Sequence, residues 1–252
     1  MSSTLSLMTH DTAPRRRSRV PLIAGVLVIV VIAALVGGEF YARNRVENCL
    51  TTQFESELGS QIDVGLGLQP VLFSLATEKF SSVDISSDDT KFGPAQDMQV
   101  QATVNDVDLT STDTTSGQIG SSSADVTWST GGILATLQEQ GVGSVVSGVT
   151  SDPAAGTLKF AIVGGLAELT VKPVVQGDTI EVQTTDASIL GIGIPTDLAD
   201  SVVSVLTDSL QAYPLGMTPD ALEVTDTGIH MTLSGGQYTI PAAQGGQQQV
   251  TC

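Results

Sequence analysis

The sequence predicts an α+β fold in which a curled antiparallel sheet wraps around helices, preceded by one N-terminal transmembrane helix. Three observations lead there: an uncharged apolar run behind a basic cluster, apolar alternation at period two through most of the remaining chain, and helical stretches set between groups of strands.

The apolar run comes first. Arg15, Arg16, Arg17 and Arg19 stand directly before "VPLIAGVLVIVVIAALVGG", and Val20 to Gly38 carries no charge. Eighteen or more such residues suffice to cross the hydrocarbon core as a helix. Basic residues before the run and acidic ones after it place the N-terminus in the cytoplasm. The organisation expected is a basic cytoplasmic tail at 1–19, a transmembrane signal anchor at 20–41 and an exported domain at 42–252 of a single-pass cell-membrane protein. A cleaved secretory signal is the competing reading, but its apolar region is typically about 7–15 residues and ends at an A-x-A-like site, which is not evident here. Both readings export everything after Tyr41. Export gives meaning to the two cysteines, Cys49 and Cys252, because disulfides persist outside the cytoplasm and two cysteines allow one intramolecular pairing. Free thiols and an intermolecular bridge are the alternatives.

Charge narrows the partners. Beyond Val46 only Lys79, Lys91, Lys159 and Lys172 stand against 25 acidic residues, a formal charge of −21. Such a surface repels nucleic acid. Few aromatics and abundant Val, Ile, Leu, Ser, Thr and Gly read as a strand-rich domain, and about 205 residues can enclose one substantial core.

"NRVENCLTTQFESELG" spaces Val46, Leu50, Phe54 and Leu58 four apart, the apolar face of a helix that ends at Gly59. In "IDVGLGLQPVLFSLATEKFSSVDISSDD", Ile62, Val64, Leu66 and Leu68 alternate as a strand. Pro70 then opens a short helix that is apolar on nearly all sides, and Val83 and Ile85 resume the strand period. "MQVQATVNDVDLTS" alternates at Met98, Val100, Ala102 and Val104 and changes phase to Val107 and Leu109, as at a β-bulge. A turn-rich connection follows, with short pairing around Ile119. "GGILATLQEQG" reads as a helix bounded by glycines, and "GTLKFAIVGGLAELTVKPVVQGDTIEVQTT" as three strands with a hairpin at Gly177-Asp178. "IPTDLADSVVSVLTDSLQAYP" is a helix with Thr196 as cap, Asp197 and Asp200 in its first turn, and Leu198, Val202, Val205, Leu206 and Leu210 on its apolar face. "LEVTDTGIHMTLSGG" closes the domain as a hairpin with Ile229, Met231 and Leu233 on one face.

Catalytic chemistry finds little support. His10 falls in the basic tail, and His230 alternates with buried positions and so faces solvent without a nucleophile beside it. No Ser sits in a G-x-S-x-G elbow, and the "GLG" and "GIG" stretches lack the rest of a nucleotide-binding fingerprint. Asp88 and Asp89, and Asp106, Asp108 and Asp113, cluster without EF-hand spacing. No enzyme, cofactor or metal site is expected. Aliphatic side chains are abundant on the short helices and the segments after them: Leu72, Phe73, Leu75 and Phe80 in one region, and Val202, Leu206, Leu210, Leu215 and Met217 in another. They fit an ordinary core or the lining of an acyl-chain cavity, and periodicity does not separate the two.

"VGLGLQPVLFSLATEKFSSVDISSDD" and "YPLGMTPDALEVTDTGIHMTLSGG" resemble the two ends of the LmeA-like family of actinobacterial cell-envelope proteins. In the second stretch the matching positions are Pro214, Gly216, Val224, Gly228, Ile229, Met231, Leu233 and Gly235. The family often has an aromatic residue where this chain has Val71, and a glycine after the helix where it has "TEK". With "VNDVDL" between them, the resemblance covers roughly residues 46–240. It implies a phospholipid-binding domain with a tubular, curled-sheet fold, a ligand of phospholipid type such as a phosphatidylinositol, and a part in cell-envelope glycolipid and mannan assembly or maintenance. Acyl chains would then lie between the curled sheet and the helices around Leu72–Phe80 and Val202–Leu215, with Lys79 the candidate for a headgroup phosphate. The alternative is a non-catalytic envelope interaction module with a solid core and no lipid.

Overall fold

Two antiparallel sheets, each with one apolar face, organise the chain. The computed structural model describes residues 20–58, 61–87, 91–92, 95–112, 114–189, 192–193, 196–211 and 213–242, with side chains outside the description at 20–27, 53–58, 91–92, 188–189 and 192–193. Helix α1 (Val20–Leu58) leads into β1 (Ile62–Leu66), α2 (Val71–Thr77) and β2 (Lys79–Ser87). A small hairpin of β3 (Lys91–Phe92) and β4 (Ala95–Gln96) precedes β5 (Met98–Asp108), β6 (Thr115–Ile119), β7 (Ser121–Ser129) and α3 (Thr130–Glu139). The chain then builds β8 (Val146–Asp152), β9 (Thr157–Ile162), β10 (Ala167–Gln176), β11 (Thr179–Ile189) and β12 (Ile192–Gly193). It returns through α4 (Thr196–Leu210) to β13 (Thr218–Thr225), β14 (Gly228–Gly235) and β15 (Tyr238–Pro241).

The first sheet has the order β1-β2-β5-β7-β14-β13, with β6 pairing β5 and β15; the second has the order β12-β11-β10-β9-β8. Both are open, so the curled, tubular sheet expected from the sequence is corrected to two open sheets. The reason lies in pairing. Strands β8 to β12 are joined by tight turns, including Gly156 at φ 65° and Gly177 at φ 60°, and pair only with one another. They form a separate layer rather than extending the first sheet around a helix.

Local patterns explain the elements. Ile62, Val64 and Leu66 are buried along β1, but Leu68 is fully exposed because the strand ends at Leu66. In β5 burial passes from Val104 to Val107 across Asp106, whose φ of 53° sits where the sequence changes phase. Ser129 caps α3 by accepting a hydrogen bond from the Gly132 amide at 2.9 Å.

A large core forms between the inner faces of the sheets, α3 and α4. Trp128, Phe160, Ile133, Leu137 and Leu206 are almost fully buried there, and the Trp128 indole donates to the Gln96 carbonyl at 3.0 Å. A smaller core joins Leu66, Val71, Phe80, Val104, Val107 and Ile119, and α1 lays Ala42, Val46 and Leu50 on it. Leu215 packs against both.

The transmembrane expectation is also corrected. Among the described residues no helix is long and apolar enough to cross a membrane. Within the described part of α1, Glu39, Arg43, Arg45 and Glu47 follow the apolar residues Val28 to Val36. The signal anchor at 20–41 and the single-pass topology built on it, with a cytoplasmic N-terminus, are therefore withdrawn. The basic tail at 1–19 lies outside the described residues. No disulfide joins two described residues: the expected bridge ends at Cys252, which lies outside them, although no described cysteine is free. Asp88, Asp89 and Asp113 of the acidic clusters also lie outside.

Strand β14 begins at Gly228, where an added Cβ would collide with the Trp128 carbonyl oxygen and lie 2.9 Å from Ser129 Cα. Gly228→Ala is expected to lower stability by roughly 1–3 kcal/mol through backbone displacement. Gly236→Ala, at a position with open space around it, should change stability by less than about 0.5 kcal/mol. Urea midpoints with unchanged m-values check both.

Candidate functional site: the α1–α2 corner and the seam between two cores

Helix α2 exists because Pro70, with φ −57°, starts the turn and its carbonyl accepts the amides of Phe73 and Ser74 at 3.1 and 3.0 Å. A short helix leaves further first-turn amides without partners. Glu39 of α1 supplies them: its carboxylate accepts the Val71 amide at 2.5 Å and the Leu72 amide at 3.1 Å. At the other end Glu78 adopts the left-handed conformation, φ 57°, and its amide returns to the Ser74 carbonyl. This is where the LmeA-like pattern often carries glycine; here a glutamate takes the same geometry.

One turn along α1, Arg43 reaches the loop between β1 and α2. Its guanidinium donates to the carbonyls of Leu66 at 2.6 Å, Gly67 at 3.0 Å and Gln69 at 3.1 Å. It also lies 3.7 Å from Glu39 and 3.6 Å from Glu47. Glu47 in turn accepts the Leu66 amide at 3.1 Å. The amide donors from Val71 and then Leu72 hold the Glu39 carboxyl below its ordinary value; partial burial opposes them, and the Arg43 charge adds a smaller lowering.

This clasp sets the polarity of α2, which is inverted. Val71 and Ser74 face inward, while Leu72, Phe73 and Leu75 are 41%, 58% and 49% exposed. The other predicted lining residues divide. Phe80 lies in the small core; Val202, Leu206, Leu210 and Met217 lie in the large one; Leu215 bridges the two. Leu215 takes a left-handed φ of 55° in the turn Pro214–Gly216, which directs the chain from α4 into β13.

Lys79, the headgroup candidate, is exposed at the start of β2. Its ammonium lies 2.8 Å from the carboxylate of Asp108, its cross-strand partner on β5. Hydrogen bonds from Lys79 and from the Thr110 hydroxyl and amide hold Asp108 well below the usual carboxylate range, and the Asp108 hydrogen bond and charge raise Lys79. An incoming phosphate would have to displace Asp108. His230, expected to face solvent, stands 3.3 Å from Asp125 on the neighbouring strand.

Two open grooves lie elsewhere. One, of about 520 Å³, runs between β10 and β13 with Lys172, Val174, Asp220 and Leu222 on its walls. The other, of about 620 Å³, lies against β1, β2, β5 and β7 beside Asp63, Asp84 and Asp125. Neither is lined by the predicted cavity residues. Among the described residues no cluster of His, Cys, Asp and Glu could hold a metal ion. The clasp was missed from the sequence; its signal is the Glu39, Arg43, Glu47 spacing of four directly after the apolar run.

The chain is an α+β domain of two open sheets with most apolar side chains of one short helix turned outward. The chain belongs to the LmeA-like phospholipid-binding family, whose pattern matches residues 33–234. That description is one of binding, not catalysis. Uncharacterized proteins of Mycobacterium tuberculosis and Mycobacterium bovis are 32% identical over 236 residues, covering 90% of this chain and 67% of theirs. No solved structure matches the chain.

Two expectations follow from this geometry. Leu206→Ala should cost about 2–5 kcal/mol by opening a cavity in the large core, whereas Leu75→Ala on the outward face should change stability by less than about 0.5 kcal/mol; paired urea titrations compare them. The Glu39 carboxyl is depressed in the folded chain, so the hold it gives α2 is present above the ordinary carboxylate value and is lost as pH falls through the depressed one. Glu39→Gln should abolish that acid dependence and speed amide exchange at Val71 and Leu72, followed by NMR.

Proposed function

We propose that this protein binds a phospholipid without transforming it, taking the acyl chains into the seam between its two cores. The family match over residues 33–234 carries the reading. The seam is favoured because Leu215 packs against both cores, with Phe80 on one side and Leu210 and Met217 on the other. Parting it would expose apolar side chains to an acyl chain, and each methylene buried contributes about 0.8 kcal/mol. The headgroup would meet Lys79 at the edge of the small core, exchanging the Asp108 carboxylate for a phosphate. The membrane-anchored form of this function is not retained, because no spanning helix is found among the described residues.

One observation favours a second reading. Val202, Leu206, Leu210 and Met217 are each no more than 3% exposed, as in a solid core that has no room for a ligand. On that reading the protein is a non-catalytic interaction module.

Native mass spectrometry of the full chain after incubation with dispersed phosphatidylglycerol separates the two. The expected result is a complex one lipid heavier than the chain, with a weaker complex for Lys79→Ala. A bare mass across the lipid titration would favour the solid-core module.

A further inference from the structure

Leucine and phenylalanine normally turn inward on a short helix packed on a sheet, with polar side chains outward. On α2 only Val71 and Ser74 turn inward, each 1% exposed, while Leu72, Phe73 and Leu75 stand in solvent and Leu68 in the preceding loop is fully exposed. The face is fixed rather than loose. Glu39 and Arg43 tie its N-terminal end to α1, the Thr77 hydroxyl bonds the Phe73 carbonyl at 2.9 Å, and Glu78 closes the last turn. An apolar patch held rigidly outward marks a contact surface.

Charge indicates what meets it. Around α2 the carboxylates are largely ion-paired, Glu39 and Glu47 with Arg43 and Asp108 with Lys79, so this corner carries less unpaired negative charge than the rest of the surface. From Phe80 onward the sequence has three lysines against 20 acidic residues. A phospholipid surface of negative potential repels that acidic body and tolerates the corner, so an approaching molecule is turned with α2 first.

We infer that the outward face of α2, with Leu72, Phe73, Leu75 and Leu68, is a docking wedge that enters the interfacial layer of a phospholipid bilayer without spanning it. The inference rests on the phospholipid-binding reading and adds where and how the protein meets the lipid surface. The side chains penetrate by apolar burial, and the ion-paired rim remains at headgroup level. Salt therefore has little effect on the contact itself, and it relieves the repulsion of the acidic body.

The test uses the full chain carrying Phe73→Trp and vesicles of phosphatidylcholine, with and without phosphatidylglycerol, containing lipids brominated on their acyl chains. The new indole is expected to shift to the blue and lose fluorescence on vesicle addition. Trp128, 1% exposed in the unsubstituted chain, should not change, nor should a Val163→Trp indole placed on the turn between β9 and β10 of the second sheet. A Leu72→Ser, Leu75→Ser variant with an unchanged circular dichroism spectrum should still take up one lipid molecule by native mass spectrometry while its vesicle contact weakens by roughly tenfold or more. If the Phe73→Trp indole stays unquenched on a chain that takes up lipid, the wedge is overturned and the binding function stands. Absence of both lipid uptake and quenching in the Phe73→Trp chain, with Leu72 and Leu75 intact, overturns both. Equal quenching at Phe73→Trp and Val163→Trp removes the assignment to α2. A blue shift that grows with protein concentration in the absence of vesicles overturns it in favour of a second copy of the chain.

Discussion

The guanidinium of Arg43 is the contact on which the α1–α2 half of the molecule depends. It sits on α1 and gathers three carbonyls of the loop between β1 and α2, while Glu39 and Glu47 on either side of it accept the amides of that same loop and helix. Charge-assisted bonds of this kind are about twice as strong as neutral ones, and here they act together on a single loop. They fix three things at once: the docking of α1 on β1, the start of α2, and the closure of the small core under Val46 and Leu50.

The rotation of α2 is set jointly by the clasp on its first amides and by burial of Val71 in the small core. Leaving Leu72, Phe73 and Leu75 in water is a cost that contact with an apolar surface would offset, which joins the proposed docking face to the phospholipid-binding character of the family. The seam at Leu215 lies on the other side of the same small core. A bilayer contact at α2 and an acyl chain entering beside Phe80 would thus share one packing unit, and movement at one would be felt at the other.

Much of the architecture was legible because it rests on local chemistry. The strand β1 followed from the alternation of Ile62, Val64 and Leu66; α4 followed from the spacing of Val202, Leu206 and Leu210; the hairpins at Gly177 and Asp226 followed from turn residues. The bulge position in β5 was visible in the phase change that the structure places at Asp106. The candidate site was legible only in part. The sequence grouped its apolar candidates into one cavity lining, whereas the structure divides them among a large core, a small core and an exposed face. Periodicity records that a side chain is apolar at a given rotation of its helix, and it does not record what lies opposite.

The sequence by itself determined the acidic surface, the strand-rich composition, the two amphipathic elements of the large core and the resemblance that the family match bears out. Those properties are sums over residues or patterns within a few turns. Tertiary structure alone decided that the sheets stay open and separate, that Lys79 meets Asp108 across two strands, and that α2 turns its leucines outward. Each of these depends on partners distant in sequence, Arg43 with Gln69 or Lys79 with Asp108, whose meeting is set by the packing of whole elements.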